Sequence, residues 1–181
     1  MADSADTSAS AASSAERPSP LASSGDNARV PGSGADPSLR VDFYVLAEAS
    51  ATARLKLACK LAEKAYLTAQ RALVWHTDPR ELKEFDELLW TFMDGSFVPH
   101  DMLAPGATRN EAPVLLSTDT APPGEIDIII NLAPEVPSCL SQTRRVAEII
   151  DGDDSRRRAG RARFKAYRDL GVQPASHNVS G

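Results

Sequence analysis

The residues that could carry chemistry are concentrated in a basic segment near the end of the chain. Seven basic residues stand there against one acidic residue, Asp169: Arg156, Arg157, Arg158, Arg161, Arg163, Lys165 and Arg168. Cations gain from the helix dipole only near a C-terminal helix end, so the ordinary interpretation is a solvated helix whose arginines favour that end. Arg157 and Arg161, however, lie in the first half of the segment, where the dipole offers no such gain.

A helical period arranges this segment into two faces. Four cations and one ring share the first face: Arg157, Arg161, Lys165, Arg168 and Phe164. The opposite face carries Ala159, Ala166 and Leu170, and we expect that side to meet the core. Guanidinium groups around an aromatic ring suit a ligand that is both anionic and aromatic. An acidic peptide that ends in a bulky residue and its α-carboxylate is such a ligand.

A second group of residues could contact another protein. It consists of Trp90 and the run Ser96, Phe97, Val98, Pro99 and His100. A core tryptophan and a proline-limited strand are the ordinary interpretations of these residues. Together, a tryptophan near a helix end and a phenylalanine in the next turn could form an aromatic anchor surface for a protein partner.

Catalytic motifs are absent from the sequence. It has no Gly-Lys pair and no GxGxxG pattern, and residues 47–50, which follow the first predicted strand, contain no glycine. The histidines are scattered, at His76, His100 and His177. Glu125 and Asp127 could be imagined as a carboxylate pair, but polar residues at a strand end are far commoner. The sequence therefore predicts a protein that is not an enzyme and needs no cofactor.

Composition and charge narrow the class of protein further. The 181 residues are 42% hydrophobic and 25% charged, which is enough for one domain. The formal charge of −5 excludes a generic polyanion binder, so an anionic partner must use a local patch. Cys59 and Cys139 fit neither a metal site nor a disulfide framework. Without a signal peptide or an apolar run of about 18 residues, the sequence predicts a soluble cytoplasmic protein with no membrane contact.

The ends of the chain differ in composition from its centre. Residues 1–40 contain ten serines and four prolines but no aromatic residue, and all ten aromatic residues lie between Phe43 and Tyr167. Ordering such a segment costs about 1–2 kcal/mol of backbone entropy per residue, which its small apolar surface cannot offset. A transit peptide is the competing interpretation, but acidic residues outnumber basic ones there. We predict a disordered tail over 1–40, a domain over 41–172 and a flexible C-terminus over 173–181.

Within the domain, strands alternate with helices. Apolar and β-branched runs predict strands at 41–46, 72–76, 114–117, 126–132 and 145–150. Helical spacing and capping residues predict helices at 51–69, from 79 to near 94, and from 154 to 170. The pattern predicts an α/β fold: a small three-layer domain with a parallel sheet, Rossmann-like or nucleotide-binding-like in architecture but without a phosphate loop.

Several motifs occur in the order and spacing of one known family. They are Phe43-Tyr44, Trp90, the run 96–100, Ala112-Pro113-Val114, the strand at 127–132, and the run from Arg161 to Gly171 that contains Arg-Phe-Lys-Ala-Tyr-Arg. Over residues 41–172 the chain resembles the chi subunit of the bacterial DNA polymerase III holoenzyme. The resemblance implies a nucleotide-binding-like fold without a nucleotide and a non-catalytic accessory role in DNA replication.

The resemblance also implies two protein partners. One is the psi subunit, through which chi joins the clamp loader, and the other is the acidic C-terminal tail of single-stranded DNA-binding protein. Carried over by position, the tail-binding residues are Ile150, Arg157, Arg161, Phe164 and Lys165. The psi-facing residues are Trp90, Phe97, Val98 and Pro99. DNA is then contacted only indirectly.

Three departures from the family pattern and two rival functions remain. The serine-rich tail before Arg40 is additional to the pattern, and nothing in the resemblance explains it. Phe164 stands where the family often has tyrosine, which removes a hydroxyl contact. Gly160 lies inside a helix at a cost of about 0.5–1 kcal/mol relative to alanine, but leaves no side chain beside Phe164. Direct nucleic-acid binding by the basic helix is the first rival, and it would need several exposed rings, whereas only Phe164 and Tyr167 are near. An enzyme at the carboxyl edge of the sheet is the second, and it lacks a catalytic cluster.

Overall fold

The structure is a computed structural model that describes residues 39–107, 110–118 and 121–179. A parallel sheet runs through these residues. Its seven strands within these ranges are β1 (Arg40–Leu46), β2 (Ala72–Trp75), β3 (His100–Met102), β4 (Val114–Ser117), β5 (Ile128–Asn131), β6 (Arg145–Ile150) and β7 (Ala175–Val179). Their order across the sheet is β3-β4-β2-β5-β6-β1-β7, and every neighbouring pair is parallel. The predicted α/β fold with a parallel sheet is confirmed.

Three α-helices and one 3-10 turn connect these strands in the same described ranges. They are α1 (Ala51–Leu67), α2 (Pro79–Thr91) and α3 (Asp154–Asp169), with the 3-10 turn at Leu140–Gln142. Each α-helix begins after a polar residue whose side chain accepts a hydrogen bond from a backbone N–H of the first turn. These capping residues are Ser50, Asp78 and Asp153. Local sequence therefore fixes where each helix begins.

The central strands are buried on both faces because helices cover both sides of the sheet. Successive strand residues point to opposite faces. Ala72 and Val74 of β2 pack in one core with α1 and α2, whereas Leu73 and Trp75 pack in a second core with Tyr167 of α3. The result is the three-layer arrangement that the sequence predicts.

Strands β1 and β6 are neighbours, but the chain leaves them toward opposite faces of the sheet. It leaves β1 toward the face covered by α1 and leaves β6 toward the face covered by α3. In α/β folds such a position opens a crevice at the carboxyl ends of the strands, where ligands bind. Here the two following loops meet in that position: the N–H of Gly152 donates to the carbonyl of Glu48 at 2.8 Å. A Cβ at position 152 would lie 2.6 Å from the Ala47 carbonyl oxygen, so glycine is required. Close backbone contact therefore joins the two loops at this position.

Two strands of the structure escape the sequence analysis. Strand β3 has three residues and no apolar run. The prediction of a flexible C-terminus over 173–181 is wrong for Ala175–Val179, which form β7 and pair with residues 42–46 of β1. A polar strand at the sheet edge lacks the alternation that would identify it.

Smaller differences concern element boundaries. Helix α2 ends at Thr91 rather than near 94, and Ile126 forms only an isolated bridge with Thr143, so β5 is shorter than the predicted 126–132 strand. The tail predicted over 1–40 lies outside the described residues up to 38. Leu39 is buried and Arg40 opens β1, so the domain begins slightly before residue 41. None of the helices in the described ranges is both long and apolar enough to cross a bilayer.

Candidate functional site

A buried polar network fixes helix α3 against the sheet. The carboxylate of Glu148 on β6 has no solvent exposure. It accepts hydrogen bonds from Arg163 Nε at 2.8 Å, Tyr167 OH at 2.7 Å and Asn131 Nδ2 at 2.9 Å. Burial raises the pKa of Glu148, and the charge of Arg163 opposes that rise. Because one unpaired member of such a network would be costly, the network fixes the rotation of α3 about its axis.

This rotation differs from the one predicted by helical periodicity. The core-facing residues are Gly160, Arg163 and Tyr167. The residues predicted to face the core, Ala159, Ala166 and Leu170, are only half-buried. The prediction was wrong because it placed only apolar residues on the core face, whereas Arg163 is the ionic partner of a buried glutamate. With Arg163 inside, Arg157 and Arg161 turn toward strand β7.

A cavity of about 260 Å³ opens between α3, strand β1 and the edge strand β7. It is lined by Phe43, Val45, Ile150, Arg157, Gly160, Arg161, Phe164 and Ser176, and we call it the cationic cavity. Four of the five residues predicted to bind the tail thus lie together. The fifth, Lys165, is not among the lining residues: its Nζ lies 2.7 Å from the carboxylate of Asp169 on the exposed side of the helix.

Aromatic and aliphatic side chains form the apolar part of the cationic cavity. The ring centroid of Phe164 lies 5.3 Å from that of Phe43, which lies 6.2 Å from that of Tyr167. Ile150, at the end of β6, reaches under Gly160, where a Cβ would overlap its Cδ1 atom. Glycine at this position therefore lets α3 approach β6 and leaves the floor of the cavity open beside Phe164.

The two guanidinium groups of the cationic cavity are held differently. Arg157 donates to two backbone carbonyls, from Nε to Asp151 at 3.4 Å and from Nη2 to Ala47 at 3.2 Å. It is thus anchored to backbone, and no carboxylate of the part of the chain that the structure describes neutralises it. Arg161 is exposed and, within the described residues, makes neither a hydrogen bond nor an ion pair. Both charges are therefore available to an anion that enters the cavity.

Arg156 has a structural role instead. Its guanidinium forms a bidentate pair with Asp151, with Nε–Oδ1 at 2.6 Å and Nη2–Oδ2 at 2.7 Å. Burial alone would raise the pKa of Asp151, but the hydrogen bonds and charge of Arg156 outweigh it and hold that pKa below its ordinary value. This pair ties the first turn of α3 to the end of β6 and so positions the neighbouring Arg157.

Strand β7 supplies a wall of the cationic cavity that sequence reasoning missed. Ser176 lies beside Phe43 in the β1–β7 register and lines the cavity. His177 Nε2 lies 3.0 Å from Asp42 Oδ1, and its ring centroid lies 5.4 Å from that of Tyr44. An aspartate within an otherwise apolar strand was the one available signal, because such a residue needs a partner when it is buried.

Several cations surround the carboxylate of Asp42, whose side chain is fully buried. Arg40 Nε lies 2.9 Å from it and Arg145 Nε lies 3.2 Å from it. Burial alone would raise the pKa of Asp42. The hydrogen bonds from His177 and Arg40 and the charges of Arg40 and Arg145 outweigh that effect, so the pKa lies below its ordinary value. The cluster attaches β7, and with it the cavity wall, to β1.

A second exposed surface lies at the opposite edge of the sheet. The side chain of Trp90 is 49% exposed and that of Phe97 is 63% exposed, with ring centroids 5.4 Å apart. The Trp90 ring also lies 4.5 Å from that of His100, the first residue of β3. Pro99, which lies between Phe97 and His100 in the chain, is half-buried. The prediction that Val98 belongs to this surface is wrong, because its side chain is 1% exposed and packs in the core of α1 and α2. We call Trp90, Phe97 and Pro99 the aromatic surface.

The remaining candidate groups are structural. Burial raises the pKa of the Cys59 thiol to about 12 and that of Cys139 to about 11, so both are protonated at neutral pH. The carboxylate of Asp127 accepts a hydrogen bond from the backbone N–H of Arg71 at 2.7 Å. Within the described ranges, no group of three or more His, Cys, Asp or Glu side chains is arranged to hold a metal ion.

Comparison with known proteins finds relatives over most of the chain. The family model described as "DNA polymerase III chi subunit, HolC" matches residues 39–175. DNA polymerase III subunit chi of Pseudomonas aeruginosa is 36% identical over 140 residues, covering 77% of this chain and 96% of the relative. The same subunit of Haemophilus influenzae is 28% identical over 138 residues, covering 76% and 95%. That of Escherichia coli is 29% identical over 117 residues, covering 64% and 79%.

A solved structure supports the fold alone. T4 UvsW aligns with a TM-score of 0.57 at 11% identity, over 80% of this chain and 42% of its own length. The chain therefore spans less than half of that protein, and the likeness concerns architecture. The family match, in contrast, spans strands β1 to β6, the aromatic surface and the basic helix. It shows that the chain belongs to the DNA polymerase III chi subunit family, and this membership supports an accessory role in DNA replication.

Proposed function

We propose that the chain is a non-catalytic subunit that links the clamp loader, through psi, to single-stranded DNA-binding protein in the cytoplasm. The cationic cavity binds the acidic C-terminal tail of single-stranded DNA-binding protein, and the aromatic surface binds psi. DNA is contacted only through these partners. The observation that carries the proposal is the cavity, in which two guanidinium groups that have no carboxylate partner among the described residues border an aromatic and aliphatic floor.

The cavity matches the chemistry of a peptide terminus. A terminal carboxylate offers two oxygens in one plane, and a guanidinium can donate to both of them. Arg161 is free to form such a pair, and Arg157 holds a second charge beside it through its bonds to backbone carbonyls. A bulky side chain of the last residue would lie between Ile150 and Phe164. Full burial of such a side chain contributes about 1.5–3 kcal/mol.

The aromatic surface suits a partner that buries apolar side chains. Trp90 and Phe97 are large, close together and about half exposed. Aromatic residues of this kind contribute much of the binding energy at protein interfaces when a partner excludes water from them. Val98 supports this surface from the core rather than contacting the partner.

Direct nucleic-acid binding by α3 is the alternative function. Exposed basic residues such as Arg158 and Arg168 could contact phosphates. Single-strand binding also uses exposed rings on which successive bases stack. Tyr167 has no solvent exposure, which leaves Phe164 as the ring beside the basic face of this helix. This arrangement favours capture of a single peptide terminus over base stacking.

Fluorescence anisotropy with a labelled tail peptide of single-stranded DNA-binding protein tests the proposal. Arg161→Ala should weaken binding by about 2 kcal/mol, because a charge-assisted bidentate pair is lost. Lys165→Ala removes an equal charge from the same helix outside the cavity and should change binding little. Arg161→Lys should not restore full affinity, since an ammonium is a point charge. Equal losses from Arg161→Ala and Lys165→Ala would contradict the proposal, and tighter binding of naked single-stranded DNA than of the peptide would favour the alternative.

A further inference from the structure

Two open clefts continue the cationic cavity around the edge of the sheet. With the cavity counted as the first opening, the second is a cleft of about 830 Å³. It shares Val45 and Arg157 with the cavity and reaches Leu46 and Val179 at the ends of β1 and β7. A third cleft, of about 470 Å³, shares Leu46 and Val179 with the second and lies against helix α1. Because each cleft shares lining residues with the next, they form one continuous path. We call the second and third clefts together the edge groove.

The topology explains why this path exists. Alternate residues of β1 point to opposite faces, so Val45 faces α3 whereas Leu46 faces α1. Strand β7 extends the sheet beyond β1, and Asn178 and Val179 lie beside Val45 and Leu46 in register. The path therefore begins at α3, crosses the carboxyl ends of β1 and β7, and ends at α1. The chi family match ends at residue 175, so most of β7 lies beyond it.

Positive charge lies at both ends of this path. Lys56 and Lys60, one helical turn apart on α1, line the third cleft. Both are exposed, and neither forms an ion pair with a carboxylate of the described residues. Arg157 and Arg161 lie at the other end. Among the described residues that line the three clefts, Glu48 carries the one carboxylate.

We propose that the edge groove binds the acidic segment that precedes the C-terminus of the peptide held in the cationic cavity. The upstream carboxylates lie near Lys56 and Lys60. The inference rests on the proposed function, because the terminus in the cavity fixes the end from which the peptide enters the groove. Lysines suit this task since their flexible ammonium groups need no fixed geometry. The cavity thus recognises the terminus, and the groove recognises the acidity before it.

Two synthetic peptides test this with the full chain. Both end in the same phenylalanine with a free carboxylate, but one carries aspartates upstream and the other carries serines at those positions. The acidic peptide should bind more tightly at low salt. Lys56→Ala with Lys60→Ala should weaken binding of the acidic peptide about threefold to tenfold and leave the serine peptide unchanged, as expected for exposed charge pairs. The matched control, Arg80→Ala with Lys83→Ala on α2, removes two exposed cations outside the groove and should change neither affinity.

The outcomes separate the two proposals. If the serine peptide binds and Arg161→Ala weakens it, but the Lys56 and Lys60 variant does not distinguish the peptides, the groove is wrong and the cavity stands. If both double variants weaken binding of the acidic peptide equally, the peptide is attracted by the overall positive charge of the surface, and the groove proposal is wrong. If neither peptide responds to Arg161→Ala, the proposed function itself fails.

Discussion

The two proposed binding surfaces lie at opposite edges of one sheet and are built in different ways. The cationic cavity, beside β7, is concave and combines guanidinium groups with a small apolar floor. The aromatic surface, beside β3, projects two rings and presents no charged side chain of its own. The cavity depends on how α3 is rotated and on an edge strand that is attached by ion pairs. The aromatic surface depends mainly on which side chains emerge from the end of α2 and from the loop before β3.

This difference shows how far each surface depends on the buried interior. The cavity needs the Glu148 network and Gly160, both of which are buried. The rings of the aromatic surface belong to neither core cluster, so we expect their removal to leave the core packed. Substitutions inside the protein should therefore damage tail binding first, whereas psi binding should respond chiefly to the exposed residues themselves.

The largest effect should come from breaking the Glu148 network, which supports the cationic cavity but not the aromatic surface. Arg163→Ala leaves the buried carboxylate of Glu148 without its ion-pair partner, which should lower the free energy of unfolding by about 3–5 kcal/mol. Arg158→Ala, an exposed arginine on the same helix, is the control and should change stability by less than about 0.5 kcal/mol. Urea unfolding measures both. A loss below about 1 kcal/mol for Arg163→Ala would show that the network does not fix α3.

The next effect concerns the aromatic surface. Trp90→Ala together with Phe97→Ala should weaken psi binding by about 2 kcal/mol or more and leave the melting temperature and tail-peptide affinity unchanged. Val98→Ala is the matched control in the same loop, and because its side chain is buried it should lower stability by about 1 kcal/mol instead. Calorimetric titration with psi and thermal unfolding distinguish these results. Unfolding of the Trp90 and Phe97 double variant would show that both rings belong to the core.

A smaller effect should follow from closing the floor of the cavity. Gly160→Ala gains about 0.5–1 kcal/mol of helix propensity but forces the new methyl group against Ile150. Overpacking of this kind costs about 1–3 kcal/mol, so we expect a net destabilisation of about 1 kcal/mol and weaker tail binding. Ala162→Gly, at an exposed position of the same helix, changes propensity by a similar amount and should leave affinity intact. Unchanged peptide affinity in Gly160→Ala would show that Ile150 does not form part of the peptide-binding site.

The smallest effect should be a change in how the free energy of unfolding depends on pH. The pKa values of Asp42 and Asp151 lie below their ordinary values in the folded chain. Both groups therefore stabilise the fold above the pKa of unfolded aspartate, and this contribution is lost as the pH falls through the folded values. The free energy of unfolding should decline below about pH 4, and Asp42→Asn should remove part of that decline. The exposed Asp94→Asn should leave the profile unchanged, and an Asp42→Asn profile parallel to the wild type would contradict the assignment.

The sequence predicted most of the fold because the fold rests on local signals. The run around Ile128 is apolar at nearly every position, which identifies a strand covered on both faces. Ser50, Asp78 and Asp153 mark helix starts by their capping side chains. Strand β7 lacked such a signal because its three central residues are polar and its stability comes from pairing with β1 and from Asp42.

The candidate site was predicted only in part, for a physical reason. The charges of Arg157 and Arg161 and the ring of Phe164 are visible in the helical period, and the family resemblance added Ile150. The rotation of α3 was not visible, since it depends on Glu148, a buried carboxylate distant in sequence that draws Arg163 into the core. The burial of Val98 was missed similarly, because an uncharged run beside exposed aromatic residues does not show which residue points inward.

Capture of a terminal carboxylate in the cationic cavity is the central claim, and one comparison of peptides tests it directly. The tail peptide of single-stranded DNA-binding protein and the same peptide with one residue added at its C-terminus are titrated against the full chain by fluorescence anisotropy. The added residue moves the carboxylate away from Arg161 and displaces the terminal side chain from the floor formed by Ile150 and Phe164. We predict that the extended peptide binds at least about tenfold more weakly, because the bidentate pair is lost. Equal affinity of the two peptides would contradict the account.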